Sequence, residues 1–343
     1  LQWEWGISRQ RHYGVPFPLW YCDSCDLEIL ADEKDLPMDP LNSNPNKNCS
    51  CGNDKFVPEK DVMDTWATSS LTPQISLDWV KDKDGNYQDV NFDNMYPLSV
   101  RPQAHDIIRT WAFYTIVKGI YHNNKIPWSD IVISGFVLDP NKEKMSKSKG
   151  NVVSPKDIMS KYGADALRYW AAGSSLGKDY SYREEDVVVG VKTVNKLWNA
   201  SKFVMMHLED FDPNEKIKLM DIDKGILSKF NKMLKEAKGF FDEYEYSKSR
   251  QVVDTFFWNT FCDNYLEIIK DRLYNPDKRG IKDRKSAQHT LYVVLNGLLK
   301  LFAPIMPFIT EEIYHLYFAD KEKSKSIHLS NWPVYDKKDE DQV

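Results

Sequence analysis

Lysine and serine residues crowd into one short run near the middle of the chain, 144–149. Three ammonium groups and two hydroxyls at a strand-to-helix junction can reach the oxygens of a triphosphate and offset charge that moves onto pyrophosphate. Gly150 behind the run gives the backbone freedom to adapt. The run predicts phosphate chemistry without a Walker loop, and the alternative is a mobile basic surface turn. The predicted ATP-binding residues are Lys144, Met145, Ser146, Lys147 and Ser148.

Four of the five cysteines form two close pairs, with two residues inside the first pair and one inside the second. Four thiolates in two pairs are what a closed, tetrahedral structural zinc site needs. The second pair is one residue shorter than is usual in such a knuckle, and the disulfide alternative is disfavoured in a cytosolic protein. The fifth, Cys262, is predicted to be a small buried hydrophobe. The predicted zinc ligands are Cys22, Cys25, Cys49 and Cys51.

The first half of the sequence mixes short runs of branched and aromatic residues with amphipathic stretches. Strands that alternate with helices favour an α/β layer built on a largely parallel sheet. Ser154 followed by Pro155 is a typical helix start. The predicted elements are strands at 15–21 and 131–138 and helices at 105–121, 154–161 and 163–172.

From residue 186 onward the pattern changes to long amphipathic stretches with few breaks. Such stretches predict an all-α helix bundle, in which most of the aromatic residues form the core. The predicted helices are 187–207, 226–244, 247–274, 286–302 and 308–318.

The composition is that of a globular chain with two or three domains: 343 residues, 42% hydrophobic and 28% charged. It excludes a small disulfide-stapled module, and no window approaches the roughly 18 apolar residues of a membrane-spanning helix. No secretory signal opens the sequence, so a cytoplasmic location is expected. The net charge is -5, yet the stretch 270–285 holds seven basic residues against three acidic ones. It can neutralise phosphates locally, or it is a solvated charged loop.

Four segments together resemble landmarks of the class I aminoacyl-tRNA synthetases, in the branch that handles valine, isoleucine and leucine. The resemblance runs from the first residues to beyond residue 200, and the helical remainder is similar to the anticodon-binding bundle of that branch. The segments are 7–11 (Ile-Ser-Arg-Gln-Arg), 61–66 (Asp-Val-Met-Asp-Thr-Trp), 135–151 (which contains Lys-Met-Ser-Lys-Ser) and 196–200 (Lys-Leu-Trp-Asn-Ala).

Two further segments, 64–74 and 101–111, resemble the valine-specific members of archaeal type, and an isoleucine-specific member is the alternative. The resemblance implies that the amino-acid side chain lies against two indoles and a branched aliphatic group, with a carboxylate near the adenosine or the ammonium group. Such a slot suits a short branched side chain, although residues at this spacing also form ordinary cores. The implied substrate-binding residues are Trp66, Asp106, Ile107 and Trp111.

The same resemblance implies that Lys147 stabilises the transition state, supported by Lys144. The valine carboxylate would attack the α-phosphate of ATP, accompanied by Mg²⁺, and the valyl group would then pass to the tRNA for valine. We expect a monomer without a membrane partner. A non-catalytic, zinc-containing tRNA-binding module is the alternative from a different class. Candidate anticodon contacts are Lys192, Asn195, Lys196 and the stretch 270–285.

Class I synthetases also carry an earlier ATP signature, His-x-Gly-His, which this sequence lacks. The sequence is therefore expected to be the C-terminal part of a longer enzyme, inactive alone and without the editing domain. Residues 1–185 are predicted to form the second half of a Rossmann-like catalytic domain, with the zinc knuckle at about 20–55 and the KMSKS loop at 144–148. Residues 186–343 are predicted to form the helical anticodon-binding domain.

Overall fold

The computed structural model of the protein describes residues 4–77, 79 and 91–335. The chain divides into two compact units, Leu1–Ile133 and Ser134–Val343, called unit 1 and unit 2 below. Unit 1 contains the two cysteine pairs, and unit 2 contains the lysine run and the long helices. The last residues of the predicted helical domain, 336–343, lie outside the described residues.

The strands that begin in unit 1 form small sheets. They are β1 (Ser8–Arg9), β2 (Leu19–Cys22), β3 (Glu28–Leu30), β4 (Phe56–Pro58), β5 (Val62–Met63), β6 (Leu98–Ala104) and β7 (Trp128–Ser134). An antiparallel sheet has the order β3-β2-β4, and in it Trp20 lies opposite both Ile29 and Pro58. β1 pairs with β5 in antiparallel register, and β6 pairs with β7. These pairings bring segments together that are far apart in the sequence.

Short helices connect and cover these strands. The helices are α1 (Thr65–Ser69), α2 (Thr72–Ser76), α3 (Asn91–Met95) and α4 (Phe113–Asn123), with 3-10 turns at Glu33–Asp35 and His105–Ile107 and a π-helical segment at Ile108–Ala112. The π-helical segment runs directly into α4, which ends at Asn124 in a left-handed conformation. Asparagine tolerates that conformation, so the helix ends there cleanly.

Unit 2 begins with a small α/β part. It consists of β8 (Val137–Leu138), a 3-10 turn (Lys147–Lys149), α5 (Pro155–Tyr162), α6 (Ala164–Ala171), β9 (Tyr180–Ser181) and α7 (Glu184–His207). β8 and β9 are parallel, with Val137 opposite Tyr180. A cluster around Trp170 and Val187 forms the core of this part, and the side chain of Met145 packs against it.

The rest of unit 2 is a helix bundle. It contains α8 (Asp221–Asp242), α9 (Tyr246–Thr255), a π-helical segment (Phe256–Tyr265), α10 (Leu266–Tyr274), α11 (Pro276–Arg279), α12 (Ile281–Phe302), α13 (Pro307–Tyr317), α14 (Ala319–Glu322) and a 3-10 turn (Ile327–Leu329). Of the 22 residues of α12, 13 are buried, more than a single face would require, so α12 is the central helix. No helix in the described part of the chain has the length and apolar character needed to cross a membrane.

One contact between α6 and α7 is unusually close. A Cβ atom added to Gly190 would lie 2.7 Å from the carbonyl oxygen of Ala166 and 2.9 Å from its Cα. The two backbones therefore touch without an intervening side chain, which only glycine permits at this position.

The predicted mixed α/β part followed by an all-α bundle is confirmed, and the predicted helices are helical over nearly their whole length. Two predictions differ in detail. The predicted helix 105–121 begins with a 3-10 turn and the π-helical segment Ile108–Ala112 before α4 starts. The predicted helix 247–274 is helical throughout, but its middle, Phe256–Tyr265, turns as a π-helix. The i→i+5 bonding of a π-helix is not encoded in the apolar spacing from which the helix was predicted.

The predicted strands and sheet need correction. The strand predicted at 15–21 is observed as Leu19–Cys22, because Pro16 and Pro18 have no N–H to donate to a ladder. The strand predicted at 131–138 is interrupted at Gly135, where a Cβ would lie 2.3 Å from the carbonyl oxygen of Lys178. Instead of one largely parallel sheet, the described strands form four small sheets, since most of these strands are only two to four residues long.

Candidate functional site

The four predicted zinc ligands come together in unit 1. The thiol sulfurs of the two cysteine pairs all lie within 4.8 Å of one another. Cys22 Sγ is 3.6 Å from Cys51 Sγ, and Cys25 Sγ is 3.5 Å from Cys49 Sγ. Zinc–sulfur bonds of about 2.3 Å in a tetrahedron place the sulfurs about 3.8 Å apart. The cluster therefore matches the size of a four-cysteine zinc site, and the residues could hold a metal ion.

Two tight turns carry the cysteines. In the first, the N–H of Asp26 donates to the carbonyl of Cys22, and Asp26 has a positive φ of 56°. In the second, the N–H of Gly52 donates to the carbonyl of Cys49, and Gly52 has a φ of 86°. In both turns the left-handed residue directly follows the cysteine pair, and in the second turn this residue is a glycine, which removes the steric cost.

In one cysteine of the cluster, Cys22, a hydrogen bond stabilises the thiolate form. The side-chain amide of Asn53 donates to Cys22 Sγ over 3.4 Å, and this hydrogen bond lowers the pKa of the Cys22 thiol to about 6. A thiolate is the form that binds metals. The local sequence had not singled out Asn53, which lies two residues after the second pair.

Two predicted landmarks of unit 1 meet across a strand pair. β1 lies beside β5, and Arg9 donates to the buried carboxylate of Asp64 over 2.8 Å. The other oxygen of Asp64 accepts a hydrogen bond of 3.2 Å from the backbone N–H of Trp66 and so caps α1. Because an Asp at this position fixes the first turn of a helix, the pair orients the half-buried Trp66.

Trp111 is fixed from two sides. Its indole N–H donates to the carbonyl of Ser69, at the end of α1, over 3.0 Å. The guanidinium of Arg101 lies over the Trp111 ring at 3.6 Å and near the Trp128 ring at 5.1 Å. Arg101 is 5% exposed, and its burial lowers the pKa of the guanidinium. Sequence reasoning missed Arg101, since nothing local indicates that a strand arginine packs between two indoles.

Asp106 and Ile107 lie in the 3-10 turn just before the π-helical segment that contains Trp111. Asp106 is exposed, whereas Ile107, like Trp66 and Trp111, is half-buried. Since Trp111 bonds to the end of α1, the structure brings the elements carrying Trp66, Ile107 and Trp111 together within unit 1. Partial exposure is what side chains need if they are to contact a small ligand as well as the protein.

The predicted phosphate-binding run lies in unit 2, within a segment we call the lysine loop, residues 139–151. The three lysines of the run 144–149 have different surroundings. The Lys144 ammonium lies over the Phe136 ring at 3.8 Å, and Lys149 pairs with Glu143 at 3.2 Å. The exposed Lys147 ammonium has no hydrogen-bond or ion-pair partner among the described residues.

The serines of the run shape its backbone. The Ser146 hydroxyl accepts a hydrogen bond of 3.3 Å from the N–H of Lys149 and thereby caps the 3-10 turn that carries Lys147. Gly150 ends this turn with a φ of 68°. Met145 Sδ accepts the N–H of Val153 over 3.5 Å. The run thus consists of an anchored methionine, a capped turn and an exposed lysine.

The basic stretch 270–285 is largely neutralised by acidic side chains. Arg272 makes two hydrogen bonds of 2.8 Å to the buried Asp223, and Lys270 pairs with Glu267. Lys196, another candidate anticodon contact, pairs with Asp263. The other ion pairs of the stretch are Arg279 with Asp271, Arg284 with Asp210 and Lys285 with Glu215.

A different surface of the bundle offers unpaired cations. A groove of about 840 Å³ lies along α8 and α9. Neither Lys229 nor Lys232, both exposed, has an ion-pair partner within the described ranges, while Lys248 pairs with Glu245 at 3.2 Å. Besides these lysines the groove is lined by one acidic residue, Glu236, and by residues that include Phe240, Gln251 and Thr255.

Comparisons with known families match both parts of the chain. The family described as tRNA synthetases class I (I, L, M and V) matches residues 2–183. The family described as anticodon-binding domain of tRNA ligase matches residues 223–343.

Among curated proteins, the chain is similar to the valine--tRNA ligases of Picrophilus torridus (45% identical, 98% of this chain, 41% of the relative) and Thermoplasma volcanium (46%, 97% and 41%). The chain therefore spans about two fifths of the length of these relatives. Among solved structures, it resembles the LeuRS of Agrobacterium radiobacter K84 in a ternary complex with tRNA and LeuAMS, with a TM-score of 0.72, 18% identity and coverage of 98% of this chain and 42% of the other.

Proposed function

Since this chain belongs to the class I tRNA synthetases of the isoleucine, leucine, methionine and valine group, we propose that it forms part of an enzyme that activates valine with ATP and transfers the valyl group to the tRNA for valine. The observation that carries the proposal is the identity of 45–46% to valine--tRNA ligases along nearly the whole chain. Residues 1–185 then supply half of the catalytic domain, and residues 186–343 supply the anticodon-binding bundle. A monomeric enzyme in the cytoplasm is part of the proposal.

On the amino-acid side, Trp66, Ile107 and Trp111 contact the valine side chain, and Asp106 lies near the adenosine or the ammonium group. The proposal is supported by the half-buried state of the three apolar residues, by the capping bond that fixes the backbone at Trp66 and by the bond that fixes the Trp111 indole. Aromatic side chains whose positions are already fixed by the protein can exclude water from a short branched side chain and need not move when the ligand binds.

On the phosphate side, Lys147 contacts the triphosphate of ATP and Lys144 supports it, with Mg²⁺ bound to the nucleotide. The valine carboxylate attacks the α-phosphate, the bond to pyrophosphate breaks, and negative charge accumulates on the leaving group. An ammonium group without a competing protein partner can follow that charge, which stabilises the transition state more than the bound substrates. Lys147 is such a group, whereas Lys149 is paired with Glu143.

Amino-acid-dependent exchange of pyrophosphate into ATP tests this reaction in the complete gene product. We expect valine to support exchange far better than isoleucine. Lys147→Ala should lower the exchange rate about 100-fold or more, and the KM for valine should stay within about twofold, because the contact strengthens only as charge moves. Lys156→Ala, an exposed lysine of α5, is the matched control.

A preference for isoleucine would contradict the substrate assignment. Equal losses in rate and in valine binding for Lys147→Ala would contradict the role of Lys147. Absence of exchange with any amino acid, together with intact tRNA binding, would favour a non-catalytic tRNA-binding module.

We further propose that the four-cysteine cluster holds one structural zinc ion, which fixes the loops that follow β2 and precede β4. Its support is the fit of the sulfur spacing to zinc. Metal analysis should find about one zinc per chain, and Cys49→Ser should release it.

The control is Cys262→Ala, which removes a buried thiol outside the cluster, where burial raises the pKa to about 12. This variant should keep its zinc. A fully folded, metal-free protein would contradict the zinc site.

The tRNA contacts of the bundle are proposed to include the groove along α8 and α9. Two unpaired lysines beside an aromatic ring suit a phosphate backbone with unstacked bases, whereas five of the seven basic residues in the stretch 270–285 are ion-paired. Lys229→Glu with Lys232→Glu should weaken tRNA binding and reduce its salt dependence by about one to two phosphate contacts.

The matched control is Lys278→Glu with Lys282→Glu, two exposed lysines of the basic stretch. Filter-binding titrations at several salt concentrations measure both. A larger loss in the control pair would assign the contact to 270–285 instead of the groove.

A further inference from the structure

The lysine loop is closed by one pair of side chains, Asp139 and Asn151. Asp139 is only 4% exposed although it lies in a turn. One of its carboxylate oxygens accepts the backbone N–H groups of Asn141 and Glu143, at 2.9 and 2.8 Å. The other oxygen accepts the side-chain N–H of Asn151 at 2.9 Å. The carboxylate is thus an acceptor for three donors at once.

Asn151 uses both ends of its amide. Besides the bond to Asp139, its carbonyl oxygen accepts the backbone N–H of Ser146 over 3.0 Å. Its amide nitrogen also lies 3.4 Å from the carbonyl of Lys144. Asn151 therefore links the start of the loop to its middle, and we call the Asp139–Asn151 pair the latch.

The hydrogen bonds of the latch fix the protonation state of Asp139 and determine which latch residue donates and which accepts. Hydrogen bonds from the Glu143 amide and the Asn151 side chain keep the pKa of Asp139 below its usual value, so the carboxylate is ionised at neutral pH. An ionised carboxylate only accepts, and an amide both donates and accepts. Asp139 therefore suits a position that is surrounded by donors, and Asn151 suits one that needs both a donor and an acceptor.

The backbone between the latch residues carries Lys144 and Lys147. The Ser146 N–H is held by Asn151, and the Ser146 hydroxyl caps the turn that begins at Lys147. Three consecutive hydrogen bonds thus connect the buried Asp139 to the 3-10 turn that carries Lys147.

We propose that Asp139 and Asn151 are positioning residues, which hold the backbone of the lysine loop so that Lys147 meets the phosphates of ATP in the transition state. The inference rests on the proposed function for its substrate, and on the hydrogen bonds above for its mechanism. A flexible loop must lose conformational freedom when it binds the triphosphate, and the latch removes part of that cost in advance.

The two latch residues allow an exchange of positions that separates this role from mere packing. Asp139→Asn alone places two N–H donors against each other, and Asn151→Asp alone places two carboxylates against each other. The double variant Asp139→Asn with Asn151→Asp restores the latch bond, since the new amide donates to the new carboxylate and still accepts from Asn141 and Glu143. Only the 3.4 Å contact of residue 151 with the Lys144 carbonyl is lost. The carboxylate at 151 still accepts from Ser146.

The loop is measured first, in the complete gene product without substrates. Hydrogen exchange at the Ser146 amide and tryptic cleavage after the loop lysines should both accelerate about tenfold in each single variant, as expected for a lost buried hydrogen bond. In the double variant both should return to within about twofold of the wild type. Asp157→Asn, an exposed carboxylate of α5, is the control that should change neither.

Pyrophosphate exchange is measured next on the same proteins. The single variants should lose about tenfold or more in exchange rate with an unchanged KM for valine, and the double variant should recover most of it. The inference would be overturned if the double variant kept the fast hydrogen exchange and tryptic cleavage of the single variants. It would also be overturned if a single variant with these faster rates kept full pyrophosphate exchange. A wild type that exchanges no pyrophosphate would instead refute the proposed function, while the loop measurements would still report whether the latch exists.

Discussion

Asp254, on α9, is a carboxyl group with an unfavourable environment. It accepts a hydrogen bond of 2.6 Å from the Tyr169 hydroxyl of α6, and Arg250 Nε lies 3.8 Å from the same oxygen. Its second oxygen is buried without a hydrogen-bond partner among the described residues. Burial outweighs both neighbours and raises the pKa of Asp254 to about 6. Burial likewise raises the pKa of Tyr169, so the phenol remains the donor.

This carboxyl group should make the protein less stable as the pH rises. A raised pKa means that the folded protein holds a proton that the unfolded chain has lost, so the contribution is full below pH 4 and disappears as the pH passes 6. A shift from about 4 to about 6 corresponds to about 3 kcal/mol in the free energy of unfolding. Asp254→Asn, which keeps an acceptor for Tyr169, should remove that part of the slope in urea titrations from pH 4 to 7.

The control is Asp277→Asn, an exposed carboxylate of α11, which should leave the slope unchanged. A variant at Asp254 with the same pH dependence as the wild type would show that this carboxyl group titrates normally.

At the level of elements, Asp223 ties α8 to two neighbouring helices. It is fully buried and accepts from Arg272 and Tyr265 of the π-helical and α10 region and from the Ser286 hydroxyl of α12. A buried charge is tolerated only because these donors surround it. The side chain of Arg272 is 11% exposed, so it belongs to this network and is not part of a free basic patch.

Removing this carboxylate should destabilise the bundle strongly. Asp223→Ala leaves a buried guanidinium and a buried phenol without their acceptor, and we expect a loss of about 3–5 kcal/mol in the free energy of unfolding. Asp221→Ala, in the same first turn but with a side chain 99% exposed, should leave the urea midpoint unchanged. Similar midpoints for the two variants would contradict the role of the network.

Local and distant determinants differ in how far the sequence reveals them. The cysteine pairs and the long helices were predicted because their patterns lie within a few residues. The latch, Arg101 and Asp223 were missed because their partners are distant in sequence or have no local pattern; Asp223 and Arg272 are 49 residues apart. The stretch 270–285 shows the same limit, since its charge count contained no information on the acids that neutralise it.

At the level of the molecule, unit 2 joins its α/β part to its bundle through helix α6. The carboxylate of Asp165 accepts the N–H groups of Phe308 and Ile309, at 3.2 and 2.7 Å, and so caps α13 from a position 143 residues earlier in the chain. Arg168 donates to the carbonyls of Pro304 and Ile305. One helix thus supplies both acceptors and donors to the corner between α12 and α13.

The contact that Gly190 makes between α6 and α7 is rigid. Where side chains separate two helices, a small displacement is absorbed as rotamers change, but at Gly190 the backbone of α7 rests on the backbone of Ala166. No side chain separates the two backbones at this contact and could change its rotamer. A shift of α7 must therefore either move α6 with it or break the contact. The two helices are therefore expected to move as one body, and Ala166, at their contact, belongs to the cluster against which Met145 packs.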